Sequence, residues 1–203
     1  MNMKKYLFGT AFLLFTSTFG IASAEAIAPD EMVKNTANEV IEVLKENQSN
    51  NGAMDINQVG KLVEDKIASK FDFERMSRMV LGKNWVLASK SQQDQFVIEF
   101  RSLLVRTYSS ALQKFKGQTI EYKPMMVGAT ENEANVKTLV SQPGSTPIPI
   151  EYALERKADT WNLYDVRIDG LSLVTSYRGQ FSEEIRKNGI EGVIQKLTEK
   201  NKG

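Results

Sequence analysis

Apolar side chains recur at intervals of three and four through the first half of the chain, which is the spacing of an amphipathic helix. The longest such run predicts a helix from Ser91 to about Lys116 with an aromatic buried face. Shorter runs predict a helix that opens at Pro29 and two more helices whose N-caps are Asp55 and Asp72. The first half of the chain is therefore predicted to be helical.

Beyond Gly117 the apolar period changes from three or four to two, which predicts β-strands. The connecting segments are short, so neighbouring strands are expected to pair antiparallel as a meander. The predicted strands are residues 119–127, 134–141, 148–157 and 160–168. In the last of these, Val166 and Ile168 are expected on one face with Tyr164, and Leu163 on the other.

Asp169-Gly170 ends the last strand, because glycine tolerates positive φ and aspartate bonds to nearby backbone. Helical spacing resumes at Leu171, and a second break is predicted at Asn188-Gly189. The composition of residues 47–53 predicts a loop that hinges the first helix. Helices, strands and helices in that order indicate an α+β fold. We expect helices packed on one face of a twisted four-stranded antiparallel sheet, an NTF2-like cone with helical additions, around an apolar pocket.

The first 24 residues have the layout of a secretory signal. Lys4 and Lys5 precede an uncharged apolar run from Tyr6 to Ile21, and small residues follow up to Ala24. A membrane anchor is the alternative, but polar residues interrupt the run and favour a signal. We expect cleavage after Ala24, export to the periplasm, and one domain over residues 25–203 with an N-terminal helical part over 25–117.

Charge and composition exclude several functions. Without Lys4 and Lys5, 24 basic side chains face 25 acidic ones, so no cationic excess is available for a nucleic acid. The chain has no cysteine and no histidine, which removes Ser-His-Asp and Cys-His catalysis and the usual imidazole metal ligands. We expect no cofactor and no metal.

Three groups of side chains are candidates for a site. The many aromatic and methionine residues form either an ordinary core or the lining of a cavity for an apolar ligand. Asp165, Asp169, Glu151 and Glu155 lie near the strand-to-helix corner, where turn and surface roles are favoured over those of a paired-carboxylate hydrolase. Arg178 is a candidate contact for a lipid phosphate, or an ion-pair partner within the protein.

Short motifs in order along the chain resemble the MlaC family, also called toluene-tolerance or ABC-transporter auxiliary substrate-binding proteins. The motifs are SKFDF (69–73), MVLGKNW (79–85), Gln92 with Phe96 and Phe100, Tyr152, WNLYDV (161–166), DGLSLV (169–174), SYR (176–178), and NGI (188–190) with Leu197. They extend over nearly the whole chain after the expected signal.

The resemblance implies a soluble, non-catalytic periplasmic shuttle that carries phospholipid from one Mla complex to the other. Its partners would be an outer-membrane MlaA-type complex and an inner-membrane MlaFEDB-type transporter, and it would be a monomer. The acyl tails would lie between sheet and helices, with the head group near solvent. The predicted face of each side chain and the hydrophobic period of its helix or strand give the expected lining: Leu81, Trp85, Phe96, Phe100, Leu104, Tyr108, Val136, Tyr152, Val166, Leu173, Val174 and Tyr177.

Two alternatives remain open from the residues. One is a small NTF2-like enzyme that uses a tyrosine and an aspartate in an apolar pocket. The other is a periplasmic interaction module whose core is completely filled.

Overall fold

The structure, a computed structural model, describes residues 27–50, 52, 54–127, 131–142 and 144–202. The expected signal sequence, residues 1–24, lies outside this part of the chain. Within it, no helix has the length and apolar character needed to cross a membrane.

Five α-helices account for most of the described chain, and four of them precede the sheet. Their bounds are Pro29–Asn50 (α1), Ile56–Leu62 (α2), Phe73–Leu81 (α3), Lys90–Leu112 (α4) and Leu173–Lys202 (α5). Helix α2 continues without a break into a π-helical turn, Val63–Ile67, and then a 3-10 turn, Ala68–Lys70. A second 3-10 turn, Gly82–Asn84, follows α3.

The predicted caps of α2 and α3 are confirmed. Asp55 accepts hydrogen bonds from the backbone N–H groups of the first turn of α2, and Gln58 completes a capping box. Asp72 accepts from the Arg75 amide at 2.9 Å. The predicted start of α4 at Ser91 is wrong, because Ser89 is the N-cap and forms the capping box with Gln92.

The predicted loop at 47–53 is wrong for its first residues, because α1 continues to Asn50. Side chains stabilise this last turn. Asn47 Nδ2 donates to the Val43 carbonyl at 2.9 Å, and Gln48 Nε2 donates to the Phe115 carbonyl at 2.6 Å. The end of α1 is thus attached to the segment after α4.

Within the described residues the sheet is antiparallel throughout and has the predicted meander order, but it contains six strands instead of the predicted four. The strands are Thr119–Tyr122 (β1), Met126–Val127 (β2), Glu133–Ser141 (β3), Ile148–Lys157 (β4), Thr160–Ile168 (β5) and Leu171–Ser172 (β6). The predicted first strand is divided at Pro124, which cannot donate to a ladder, and both pieces pair with β3. The sixth strand follows the turn at Asp169-Gly170, where both residues have positive φ.

A β-bulge in β5 changes which side chains face the helices. Leu154 pairs with Leu163 but Ala153 pairs with Asp165, so Tyr164 is the extra residue. Cross-strand partners share a face. Leu163 is therefore on the same face as Val166, and the predicted alternation through β5 is wrong.

The helices pack on one face of this sheet, which confirms the predicted α+β architecture. Buried side chains form three clusters. The helical cluster joins α3, α4 and α5 around Met76, Phe96, Phe100, Val193 and Ile194. The sheet cluster contains Val33, Ala134, Val136, Leu154, Leu163 and Val166. The α1 cluster contains Val40, Leu44, Leu62 and Phe115. The predicted break at Asn188-Gly189 is a kink in α5, where Gly189 has φ 69°.

Candidate functional site

A cavity of about 190 Å³ lies between α4 and the sheet, and the segment from α2 to the start of α3 encloses its third side. All fourteen lining residues are apolar or aromatic, and two tyrosines carry the only side-chain polar atoms. The lining consists of Val63, Ile67, Ala68, Phe71, Phe73, Leu104, Val105, Tyr108, Leu112, Ile150, Tyr152, Val166, Ile168 and Leu173.

Register and helical spacing produce two of the walls. In the sheet wall, Tyr152 pairs with Val166 and Ile150 pairs with Ile168, so all four side chains face the helices. The α4 wall contains Leu104, Val105, Tyr108 and Leu112; Tyr108 lies four residues after Leu104, three after Val105 and four before Leu112, so they share one face of the helix.

The third wall contains the π-helical turn. This turn contributes Val63 and Ile67, and the following 3-10 turn contributes Ala68. Phe71 and Phe73 come next, and their rings stack with centroids 5.6 Å apart. The Asp72 amide donates to the Leu163 carbonyl at 2.8 Å, which fixes the two rings to the edge of β5. Because the backbone hydrogen bonding of the π turn is irregular, this is the least regular of the three walls.

The two tyrosines remain neutral at physiological pH. Burial raises the pKa of Tyr108 to about 12, and the nearby Tyr177 contributes to the increase. Burial also raises the pKa of Tyr152, although the hydrogen bond to Thr138 partly opposes it. The lining therefore presents hydrocarbon and neutral hydroxyl groups, a surface suited to an apolar ligand.

One ion pair connects two walls at the edge of the cavity. Arg101 on α4 pairs with Glu64 on the π turn, and both side chains are 43% exposed. The Arg101 guanidinium also lies 5.5 Å from the ring centroid of Phe73, which lines the cavity. A half-exposed charged group thus lies next to one lining residue, Phe73.

Apolar surface continues outward from the sheet wall. Leu171 pairs with Ile168 across β5 and β6 and is 71% exposed, and Ile148, on the same face as Ile150, is 45% exposed. These two side chains extend the lining to the surface.

The family model described as MlaC protein matches residues 34–199. The chain belongs to the MlaC family. Among curated relatives, the toluene tolerance protein ttg2D of Pseudomonas putida is 25% identical over 87% of this chain and 82% of its own length. The intermembrane phospholipid transport system binding protein MlaC of Haemophilus influenzae is 23% identical over 97% of this chain and 93% of its own length.

A solved structure shares this MlaC-family fold. It is that of the phospholipid-binding protein from Ralstonia solanacearum in complex with a phospholipid, with a TM-score of 0.78 and 33% identity. The match covers 86% of this chain and 97% of the other.

The cavity of this MlaC-family chain contains five of the twelve side chains that the sequence predicted to line it: Leu104, Tyr108, Tyr152, Val166 and Leu173. The other seven lie elsewhere. Leu81, Trp85, Phe96, Phe100, Val174 and Tyr177 belong to the helical cluster, and Val136 belongs to the sheet cluster. The structure places these seven side chains in packed clusters and not among the residues that line this cavity.

Aromatic packing explains the difference in the helical cluster. Phe96 and Phe100 stack with centroids 5.7 Å apart, and Phe181 and Tyr177 contact them edge-on. These rings fill the space between α4 and α5.

Sequence reasoning missed nine lining residues. Ile150 and Ile168 were recoverable from the two-residue period of β4 and β5. No pattern in the sequence identifies the π turn, so the sequence does not single out Val63, Ile67 and Ala68 as lining residues.

Arg178 does not lie at the cavity. It is exposed, and its guanidinium lies against Gly82, 3.2 Å from the position that a Cβ there would occupy. Gly82 follows the C-terminal end of α3, whereas Phe73 begins that helix, about 13 Å away by helical rise. The cation that contacts a lining ring is Arg101 instead.

The carboxylates near the corner have structural contacts. Asp165 is buried and accepts hydrogen bonds from Ser172 Oγ at 2.6 Å and from the Val174 amide at 3.1 Å, so it holds the N-terminus of α5 against β5. Glu151 pairs with Lys137 at 3.2 Å. Glu155 pairs with Arg75 at 2.6 Å, and Asp169 lies in the tight turn.

Proposed function

We propose that this protein is a periplasmic phospholipid carrier that catalyses no reaction. It would take lipid from one Mla complex and deliver it to the other, an outer-membrane MlaA-type complex and an inner-membrane MlaFEDB-type transporter. The acyl chains would occupy the apolar cavity. The observation that carries the proposal is the cavity itself, whose lining has no charged side chain. The phospholipid complex of the Ralstonia relative, with the same fold, supports it.

Burial of hydrocarbon supplies the binding energy in this proposal. An apolar cavity of about 150 Å³ in another protein contains no water and binds benzene. The cavity here is slightly larger, about 190 Å³. Each methylene moved from water into it contributes about 0.8 kcal/mol. A phospholipid has many more methylenes than benzene has carbons, so binding of whole tails requires a wall to move outward.

We expect the wall from α2 to Phe73 to move. It is irregular over the π turn, and Arg101–Glu64 is a salt bridge that connects this turn to α4. A half-exposed ion pair contributes little to stability, so the wall can separate from α4 at low cost. The Arg101 guanidinium would then be free to meet the lipid phosphate, which it can bind through two parallel hydrogen bonds.

The remaining parts of the proposal concern export and organisation. Residues 1–24 would be removed as a signal peptide, and residues 25–203 would act as one lipid-binding domain with an N-terminal helical part over 25–117. The carrier would work as a monomer and need no cofactor.

The contacts of the carboxylates favour a carrier over an enzyme. A small enzyme of the alternative kind would need an aspartate beside a tyrosine in the pocket. Tyr108 and Tyr152 are in the lining, but Asp165 holds the start of α5 and is not among the lining residues. A module with a filled core is disfavoured by the cavity.

A steric block tests the proposal. Ala68 lines the cavity and is 3% exposed, so Ala68→Phe would place a ring in the space for the tails. The matched control is Ala111→Phe, at an exposed position on α4. Each protein would be exported by cells, purified without detergent, and its lipid quantified by solvent extraction and mass spectrometry.

We expect about one phospholipid per wild-type and Ala111→Phe molecule, and a large loss for Ala68→Phe with the thermal midpoint unchanged or raised. Wild-type protein that contains no lipid and cannot be loaded from vesicles would refute the carrier function. Equal lipid content in Ala68→Phe would mean that the tails bind elsewhere.

A further inference from the structure

The connection between α3 and α4 presents two neighbouring aliphatic side chains to solvent. Val86 is 79% exposed and Leu87 is 75% exposed, more than any other large hydrophobic residue in the described part of the chain. Single exposed hydrophobic residues are ordinary, but an adjacent pair at the tip of a loop indicates contact with another surface. We call Lys83 to Leu87 the apolar tip.

The backbone of the apolar tip is held in place by the buried residues directly before Val86 and directly after Leu87. Trp85 and Ala88 are each 8% exposed and pack into the protein. Gln93 Nε2 donates to the Trp85 carbonyl at 2.8 Å, and the Leu87 amide donates to the Asn84 carbonyl at 3.2 Å. The fold therefore fixes Val86 and Leu87 outward, with little conformational entropy left to lose on binding.

Of four basic side chains in or beside the tip, two have a carboxylate partner and two have none within the described residues. Arg78 pairs with Glu74 at 2.9 Å, and Lys90 pairs with Asp94 at 2.5 Å. Neither Lys83 nor Arg178 has a salt bridge within the described residues, and the Arg178 guanidinium lies against Gly82, next to Lys83. The Glu191 carboxylate accepts a hydrogen bond from Gln92 in the first turn of α4.

We propose that the apolar tip docks on the surface of an anionic lipid bilayer. Val86 and Leu87 would enter the boundary between head groups and acyl chains, while Lys83 and Arg178 meet lipid phosphates. Aliphatic side chains flanked by unpaired cations are the composition of segments that lie at a membrane interface. A protein partner is the rival occupant, and the unpaired positive charges favour the bilayer.

This surface is separate from the cavity. The tip follows the C-terminal end of α3, whereas Phe73 at its other end lines the cavity. The proposal therefore does not depend on which ligand the cavity holds, and changes at the tip should leave bound lipid unchanged.

Vesicle sedimentation tests the proposal. The probes are vesicles of phosphatidylglycerol with phosphatidylcholine, and vesicles of phosphatidylcholine alone. The test variant is Val86→Ser with Leu87→Ser. The matched control is Ile98→Ser, because Ile98 is a single hydrophobic residue, 62% exposed, more than two turns into α4.

We expect wild-type protein and Ile98→Ser to bind the anionic vesicles equally. The double serine variant should bind them at least about tenfold more weakly, because it lacks the two aliphatic side chains that would enter the bilayer. Lys83→Gln with Arg178→Gln should also weaken binding to anionic vesicles and reduce its dependence on salt. All variants should keep the wild-type thermal midpoint and lipid content, since none of these residues is buried or lines the cavity.

Three results would overturn the proposal. The first is no binding of wild-type protein to anionic vesicles, and the second is equal binding by the double serine variant. The third is equal binding to anionic and neutral vesicles, which would mean that Lys83 and Arg178 do not select an anionic surface. Failure of the carrier function would instead show as wild-type protein that has no bound lipid, whatever its affinity for vesicles.

Discussion

The two halves of α4 have the same apolar spacing but different surroundings. Phe96 and Phe100 in the first half are 0% exposed and lie in a solid cluster of aromatic rings. Leu104, Tyr108 and Leu112 in the second half line a cavity. The first half faces α5, whose rings reach across and fill the gap. The second half faces the sheet, with the cavity between them.

The comparison shows that a helix face alone does not decide between core and cavity. What decides is the size of the opposing side chains and the distance to the opposing element. Phe181 and Tyr177 project from α5 far enough to contact α4. Ile150 on β4 and Val166 on β5 project toward α4 but line the cavity without filling it.

The largest effect on stability should come from truncating a buried side chain in the first half of α4. Phe100→Ala should lower the free energy of unfolding by about 3–5 kcal/mol, because a buried ring leaves a void that its neighbours cannot fill. Leu112→Ala should cost no more than about 1.5 kcal/mol, since Leu112 is half-buried and faces an existing cavity. Urea denaturation measures both values. Equal costs would show that the two halves are packed alike.

The next largest effect on stability should come from Asp165, which lies between the cavity and the helical cluster. Asp165 holds the start of α5, where Leu173 lines the cavity and Val174 packs into the helical cluster. Asp165→Ala leaves backbone N–H groups unsatisfied and should cost about 2–3 kcal/mol of unfolding free energy. The control is Asp159→Ala, whose side chain is 87% exposed and should change stability by about 0.5 kcal/mol at most. A similar small change in both would mean that Asp165 does not hold the helix.

Particular residues show how far the sequence could predict this molecule. The hydrophobic period predicted the helices and the meander. Caps at Asp55 and Asp72 and the turn at Asp169-Gly170 were also predicted, because each depends on local backbone preferences. The bulge at Tyr164 was missed, since a strand with one extra residue has no local signature.

The site was harder to predict than the fold for the same reason. Whether Phe100 or Leu104 faces a cavity depends on which side chains lie opposite it in the folded protein. The sequence of one helix does not specify those neighbours. The π turn at Val63–Ile67 forms a wall, yet its sequence reads as an ordinary helix. Arg101 was missed because its contact with Phe73 joins residues far apart in the chain.

A smaller effect should appear in the dependence of stability on pH. Burial raises the pKa of Tyr108 to about 12 in the folded protein, whereas the unfolded chain titrates near 10. The unfolded state therefore loses its proton first, and stability that is complete below pH 10 is lost as the pH rises toward 12. Tyr108→Phe removes this contribution.

Urea denaturation at pH 8, 10 and 11 would compare wild type with Tyr108→Phe. We expect the variant to lose less stability than wild type across this range. Parallel losses would contradict the burial of the Tyr108 hydroxyl in the cavity half of α4.

The smallest effect on stability, and the one most specific to the cavity half, should come from its ion pair. Glu64→Gln releases Arg101 and should cost less than about 1 kcal/mol, because both side chains are half-exposed. If the π turn is the wall that opens, the variant should nevertheless exchange fluorescent phospholipid with vesicles several times faster. Asp65→Asn is the matched control, since it removes a neighbouring negative charge whose partner, Lys61, lies on the same helical segment. Faster exchange in Glu64→Gln alone would assign the opening to the contact between the π turn and α4. Equal rates in the two variants would mean that another wall moves.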